Sequence, residues 1–321
     1  MRLQPIKIPA SKSAAVTLAA LLVASLASCD SRTNPSEESA ADGKVKVFVS
    51  VLPQQAVVER IGGQHVKVDT MVETGGDPHG FSATARQMVA LGRADLYLTI
   101  GMPFEEQYLP KIQETRPDLI VESMLTGIEL MDADPHHHHD HAEHTNGDHD
   151  HDHDHESEGE KDTHTWLSPA LLKVMAWNTR DALTEADPDN AEFYAANVTA
   201  FETELDEVDA RIRTQLTPFQ GKAFYVFHPA FAYFAEAYGL EQKAVEIGGQ
   251  KPSPQELAAL IKEMKEAGAK VIFTQPQFDD KPAKAIASQI GASVTSIDPL
   301  DSDVIANLDR IATALASGLS Q

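Results

Sequence analysis

The sequence predicts an α/β protein of two lobes, each a roughly four-stranded, mostly parallel sheet flanked by helices, with a long rigid helix joining them. Three observations predict this. Short apolar, β-branched runs alternate with helical patterns over residues 44–122 and again over 223–317, the rhythm of parallel sheets with helices on their faces. Between these blocks, apolar residues recur at every third or fourth position for nearly thirty residues, which is one face of a single helix. A chain of 321 residues is also long enough for one large or two medium domains with ample core.

In the first block, Val45–Val51 reads as a buried strand and Gln54–Ile61 as a short helix closed by Gly62-Gly63. Val66–Val72 is a second strand, and Ser82–Leu91 a helix with Ser82 as its cap. Leu96–Ile100 is a third strand and Leu119–Glu122 a weaker fourth. Pro169–Thr184 shows helical spacing in Leu172, Met175, Ala176, Thr179 and Leu183. Asp187-Pro188 then has the form of an N-cap followed by proline at the first helical position. It opens the long helix through Phe193, Tyr194, Val198, Phe201, Leu205, Val208, Ile212 and Leu216. The second block gives strands at Ala223–Phe227, 244–247, Val271–Thr274 and Val294–Ile297. Its helices are Phe231–Tyr238, Pro254–Ala267, Pro282–Ile290 and Ile305–Ser317. The organisation expected is a lobe over 44–186, a linking helix over 187–216 and a second lobe over 217–321.

The chain is acidic, with 26 Lys and Arg against 49 Asp and Glu and a net charge of −23. That balance excludes a nucleic-acid partner, which needs clustered basic side chains, and suits cationic ligands. Arg2, Lys7 and Lys12 precede an apolar run from Ala14 to Leu26, too short to span a membrane in comfort. The run ends in Leu26-Ala27-Ser28-Cys29. This resembles the lipobox of bacterial lipoproteins, in which cleavage precedes the cysteine and its thiol is acylated. Residues 1–28 then form a signal peptide, Cys29 carries the lipid, and the polar stretch to Gly43 is a flexible tether. Cys29 is the one cysteine in the sequence, so no internal disulfide is expected.

The 14 histidines decide the functional reading. Ten lie in the acidic segment 132–162: His136, His137, His138, His139, His141, His144, His149, His151, His153 and His155. That segment lacks the apolar residues needed for a core and is expected to be disordered without ligand. Its imidazoles and carboxylates form an auxiliary, weak metal-binding loop that gathers or senses zinc. His79, in the turn Gly75–Gly80, follows a strand; His164 precedes a helix; His228 ends the first strand of the second block. Asp298 ends the last strand. Ligands of open parallel sheets bind at the carboxyl ends of strands. If the lobes face each other, His79, His164, His228 and Asp298 can therefore meet. Three neutral imidazoles and one carboxylate suit Zn²⁺. Taken singly, each position also suits a surface histidine, and Asp298 before Pro299 also suits a turn. His65, after Gly62-Gly63, reads as a surface turn residue.

Asp77-Pro78-His79, His164-Thr165-Trp166-Leu167-Ser168-Pro169, the run Phe227–Phe234, Pro252-Ser253-Pro254 and Asp298-Pro299-Leu300 occur in this order. Together with the lipobox they resemble the metal-binding lipoprotein family of ABC importers, in its zinc-uptake branch. The resemblance covers residues 44–318. It implies that His79, His164 and His228 hold the transported Zn²⁺ and that Asp298, water or another carboxylate completes the site. In the manganese branch glutamate is more usual at the position of His228. The resemblance also implies a permease and cytoplasmic ATPase as partners, a lipid-anchored place in the periplasm or at the cell surface, a monomer and no catalysis. Asp77 and Glu246 are candidates for orienting the rings by position alone.

Three other readings compete. The same role for Mn²⁺, Ni²⁺ or Cu²⁺ is open, because selectivity follows geometry and supply more than affinity. So is a metal-dependent adhesin or buffer. A zinc hydrolase is disfavoured, since the sequence has no His-Glu-x-x-His helix and no nucleophile elbow.

Overall fold

The computed structural model describes residues 43–133, 161–246 and 252–321. Residues 1–42, expected to be signal peptide and tether and including Cys29, and the ten clustered histidines lie outside the described residues.

The first sheet contains β1 (Val45–Val49), β2 (Val66–Thr70), β3 (Leu96–Thr99) and β4 (Ile120–Ser123) in the order β2-β1-β3-β4. The second contains β5 (Ala223–Val226), β6 (Glu241–Ala244), β7 (Val271–Thr274) and β8 (Ser293–Ser296) in the matching order β6-β5-β7-β8. Every pairing in both sheets is parallel. Parallel neighbours need crossovers. In the first lobe these are α1 (Leu52–Gly62), α2 (Ala85–Leu91) and α3 (Pro103–Thr115). After α4 (Pro169–Ala186) and α5 (Ala191–Leu216) come α6 (Ala232–Tyr238), α7 (Pro254–Glu266), α8 (Lys281–Ile290) and α9 (Val304–Leu319). The central strands are apolar on both faces because helices cover both. In β1 only Lys46 is not fully buried, and β7 is buried throughout.

The linking helix α5 has 26 residues and is ~39 Å long at 1.5 Å per residue. It buries Tyr194, Val198, Phe201, Leu205, Val208, Ile212 and Leu216, one stripe at helical spacing. The stripe packs against α1 and α4 of the first lobe and against α6 and α9 of the second. One continuous apolar core therefore runs from β1 through α5 to β5 and α9. A second cluster around Tyr225, Met264, Ile272 and Ile286 fills the other face of the second sheet. No helix among the described residues is long and apolar enough to cross a membrane.

Several local expectations need correction. The cap of α2 is Thr84, not Ser82. The Thr84 hydroxyl accepts from the Gln87 N–H at 3.3 Å, and Gln87 Oε1 accepts from the Thr84 N–H at 2.9 Å, a reciprocal capping box. Asp187 does not cap the long helix. Its carboxylate instead accepts from Asn190 Nδ2 and the Tyr194 hydroxyl, a 3-10 turn occupies Pro188–Asn190, and α5 starts at Ala191. The strand expected at 244–247 lies at Glu241–Ala244, and α3 has no counterpart in the sequence reading. Finally, the outer residues of segment 132–162 are ordered. Asp132 and Lys161 form an antiparallel bridge, and the Asp162 N–H donates to the Met131 carbonyl at 2.9 Å.

Candidate metal centre

The loops that follow β2 and β5, and the turn that precedes α4, bring three imidazoles together. The ring centroids of His79 and His164 are 5.5 Å apart, those of His79 and His228 4.9 Å, and those of His164 and His228 5.6 Å. One nitrogen from each ring lies within 4.8 Å of the others. Tetrahedral zinc with Zn–N bonds of ~2.0–2.1 Å needs such nitrogens ~3.4 Å apart, so small ring movements suffice to close the set on an ion.

Each histidine is fixed locally. His228 follows β5 at its carboxyl end. Its N–H donates to Gln275 Oε1 at 3.1 Å, and its carbonyl accepts from Gln275 Nε2 at 3.2 Å, a clamp from the residue that follows β7. Its Nδ1 donates to Glu246 Oε2 at 3.0 Å, and Phe278 covers the ring at 4.8 Å. That leaves Nε2 as the free nitrogen, and it is buried with no hydrogen-bond partner. Such an orphaned acceptor is rare in a protein interior and calls for an explanation; a metal ion supplies one.

His164 is buried in the same way. Asp162 Oδ1 accepts its backbone N–H at 2.8 Å and its Nδ1–H at 2.7 Å. Nδ1 is thereby committed and Nε2 is left to bind, the carboxylate–histidine arrangement of metal sites. Asp77 Oδ1 accepts the His79 N–H at 2.9 Å through the same Asp-x-His turn, here without a contact to the ring. Of the two carboxylates anticipated, Glu246 touches a ring and Asp77 touches only the backbone. The carboxylate behind His164 is hard to single out in the sequence because Asp162 closes an acidic run whose composition predicts no core. It is in fact buried, at 5% exposure. The repeated Asp-x-His spacing at Asp77-Pro78-His79 and Asp162-Thr163-His164 was the signal that could have revealed it.

Asp298 is not brought into the group. Its Oδ1 accepts from Gln277 Nε2 at 2.7 Å and from the Leu300 N–H at 2.8 Å, so it serves the turn at Pro299. His65 also stands apart, against Phe193 at 4.7 Å. Among the described residues the three histidines form the one such group. They open on a cavity of about 440 Å³ that is also lined by Gly101, Glu106, Lys161 and Asp162.

Although His79 as a residue is exposed, its ring lies against the other two. Desolvation, followed by the neighbouring His164 and His228, pushes its pKa down to about 3. His79 is therefore neutral at pH 7 and has no proton to lose before binding a cation. Linkage gives the sign for the metal-free protein. Between pH 6.5 and about 3 the unfolded chain takes up a proton at His79 that the folded chain refuses. Thermal melts of the metal-free protein are expected to lose stability as pH falls through this window, and to lose less of it in His79→Ala; equal slopes in the two proteins would contradict this.

A family model, zinc-uptake complex component A periplasmic (ZnuA), matches residues 47–317. The chain belongs to the ZnuA family. It is 30% identical over 283 residues to the high-affinity zinc uptake system protein ZnuA of Bacillus subtilis, covering 86% of this chain and 85% of that one. It is 34% identical over 253 residues to ZnuA of Paracoccus denitrificans, covering 72% and 76%. The zinc-binding protein AdcA of Streptococcus pyogenes is 30% identical over 269 residues, and the chain spans only 51% of its length. A crystal structure of ZnuA superposes with a TM-score of 0.75 at 35% identity, over 86% of this chain and 99% of that one. A ZnuA deletion mutant with zinc bound gives a TM-score of 0.76 at the same identity, over 87% and 99%. ZnuA members are transport components rather than enzymes, and the two-lobed fold expected from sequence is the ZnuA fold.

Proposed function

We propose that this chain captures Zn²⁺ outside the cytoplasm with His79, His164 and His228, at a site between its two lobes, and delivers it to an ABC importer. The observation that carries the reading is the convergence of three imidazole nitrogens, two of them on rings whose other nitrogen is committed to a carboxylate, buried Asp162 or part-buried Glu246. An all-nitrogen donor set favours Zn²⁺ over Mn²⁺. Water or another small ligand takes the fourth position, facing the cavity. Binding is simple exchange: the hydrated ion loses water and gains three neutral nitrogens, while Asp162 and Glu246 hold the rings in place. The shared core across α5 argues for small lobe tilts rather than a clamshell, so release depends on the permease distorting the cleft. The histidine-rich segment 136–155 gathers zinc, and acylation at Cys29 holds the protein at the membrane.

The test is calorimetric titration of residues 30–321 lacking 136–155 with Zn²⁺ and Mn²⁺, beside a variant with alanine at all three cleft histidines. One tight Zn²⁺ site, weak Mn²⁺ binding and loss of the site in the triple variant are expected. Absence of a tight Zn²⁺ site in the shortened protein would move the metal to the histidine-rich segment and overturn the reading.

A further inference from the structure

The turn that carries His164 follows the first sheet in sequence but is anchored to the second lobe. Trp166 Nε1 donates to the Pro299 carbonyl at 2.6 Å. The Tyr233 hydroxyl, on α6, donates to the Asp162 carbonyl at 2.7 Å and accepts the Met131 N–H at 3.0 Å. Tyr233 is only 3% exposed, and Met131 and Asp162 are themselves hydrogen-bonded at 2.9 Å. A single phenolic oxygen from the second lobe thus holds two strands of chain from the first. One of them is the residue whose carboxylate orients the His164 ring.

We propose that Tyr233 is a positioning residue for the metal centre. Its hydroxyl fixes the main chain at Asp162, so that the carboxylate stays behind Nδ1 of His164 and Nε2 stays aimed at His79 and His228. This rests on the reading that these histidines hold zinc. Without the hydroxyl, a carbonyl and an N–H in a water-poor region lose their partner, and the chain must shift or admit water. Either change loosens Asp162, and a carboxylate out of place no longer fixes the ring. Groups that orient metal ligands are worth ~10–100-fold in affinity. Tyr233 acts one hydrogen bond further out, so the low end of that range is expected.

The full chain is compared with Tyr233→Phe and with Tyr238→Phe, a control on the same helix whose hydroxyl donates to Asp209 Oδ1 at 3.1 Å. Zinc Kd is measured by competition with a chromophoric chelator, and the melting temperature on metal-free protein. Tyr233→Phe is expected to raise Kd about 10-fold and Tyr238→Phe to leave it unchanged, whatever either does to melting. In an Asp162→Asn background, adding Tyr233→Phe is expected to change Kd less than ~2-fold, because the two act through one ring. Full, independent effects of the two substitutions would show that Tyr233 does not act through Asp162 and would overturn the proposal. A tight wild-type site unmoved by Tyr233→Phe overturns this proposal alone, whereas a wild-type protein with no tight site overturns the zinc reading as well.

Discussion

Alanine in place of His228 is expected to lower zinc affinity more than about 100-fold, beyond the ~10–100-fold range for groups that merely orient a ligand, while alanine at His65 leaves it unchanged. His228 is the most constrained of the three. Its backbone is clamped at both polar groups by Gln275, its Nδ1 is bound to Glu246, and its ring lies against Phe278. The whole arrangement leaves one buried nitrogen with nothing to bond. Removing the ring leaves His79 and His164 to hold the ion with water in place of the third nitrogen. His65 makes a fair control because it also lies outside the acidic segment but closes a 3-10 turn and packs on Phe193 instead. Chelator competition reads the difference. If His228→Ala binds zinc as tightly as the wild type, the metal is not at the cleft.

Asp162→Asn is expected to weaken zinc binding ~10–100-fold while the protein stays folded. Asparagine keeps the size and one acceptor oxygen of aspartate, so it can still accept the His164 N–H. It loses the negative charge beside Nδ1, which makes His164 the stronger donor and selects its tautomer. Glu246→Gln should act similarly through His228, since that carboxylate is also on a ring nitrogen. Asp77→Asn should cost less, because Asp77 touches only the His79 backbone. Equal losses from Asp77→Asn and Asp162→Asn would mean that the turn, and not the carboxylate–imidazole contact, carries the effect.

Much of the fold was readable because its signals are local. The stripe on α5 has helical spacing at the positions the structure buries, Phe193 alone of those expected being exposed, and the central strands are apolar runs. The misreadings share one cause, in that partners distant in sequence outweighed local composition. β6 is the polar run Glu241–Ala244 rather than the more apolar one after it, since pairing Ala223 with Glu241 sets its register. The helix α3 carries Pro110 in its middle and turns Glu105 into the interior, which hides its pattern. Glu105 tolerates burial because its carboxylate accepts the Ile100 and Gly101 N–H groups at 3.0 and 2.8 Å.

The amino-acid sequence determined the two-lobed α/β plan and the candidate ligands His79, His164, His228 and Asp298, because strand and helix periods and residue chemistry are properties of short segments. Only the tertiary structure decided which of those side chains meet. The two sheets share one strand order, yet the place held by His228 and Glu246 after β5 and β6 is held in the first lobe by Val51 and Val72, both buried. His79 and His164 therefore reach the centre from a turn and from a segment strapped to the other lobe. Asp298 was diverted to Gln277 and its own turn, while Asp162, in a run that reads as disordered, became the carboxylate behind a ring. Hydrogen bonds across more than a hundred residues of chain, such as Tyr233 to Met131 and Trp166 to Pro299, exist only once the lobes have packed around α5, and no local pattern encodes them.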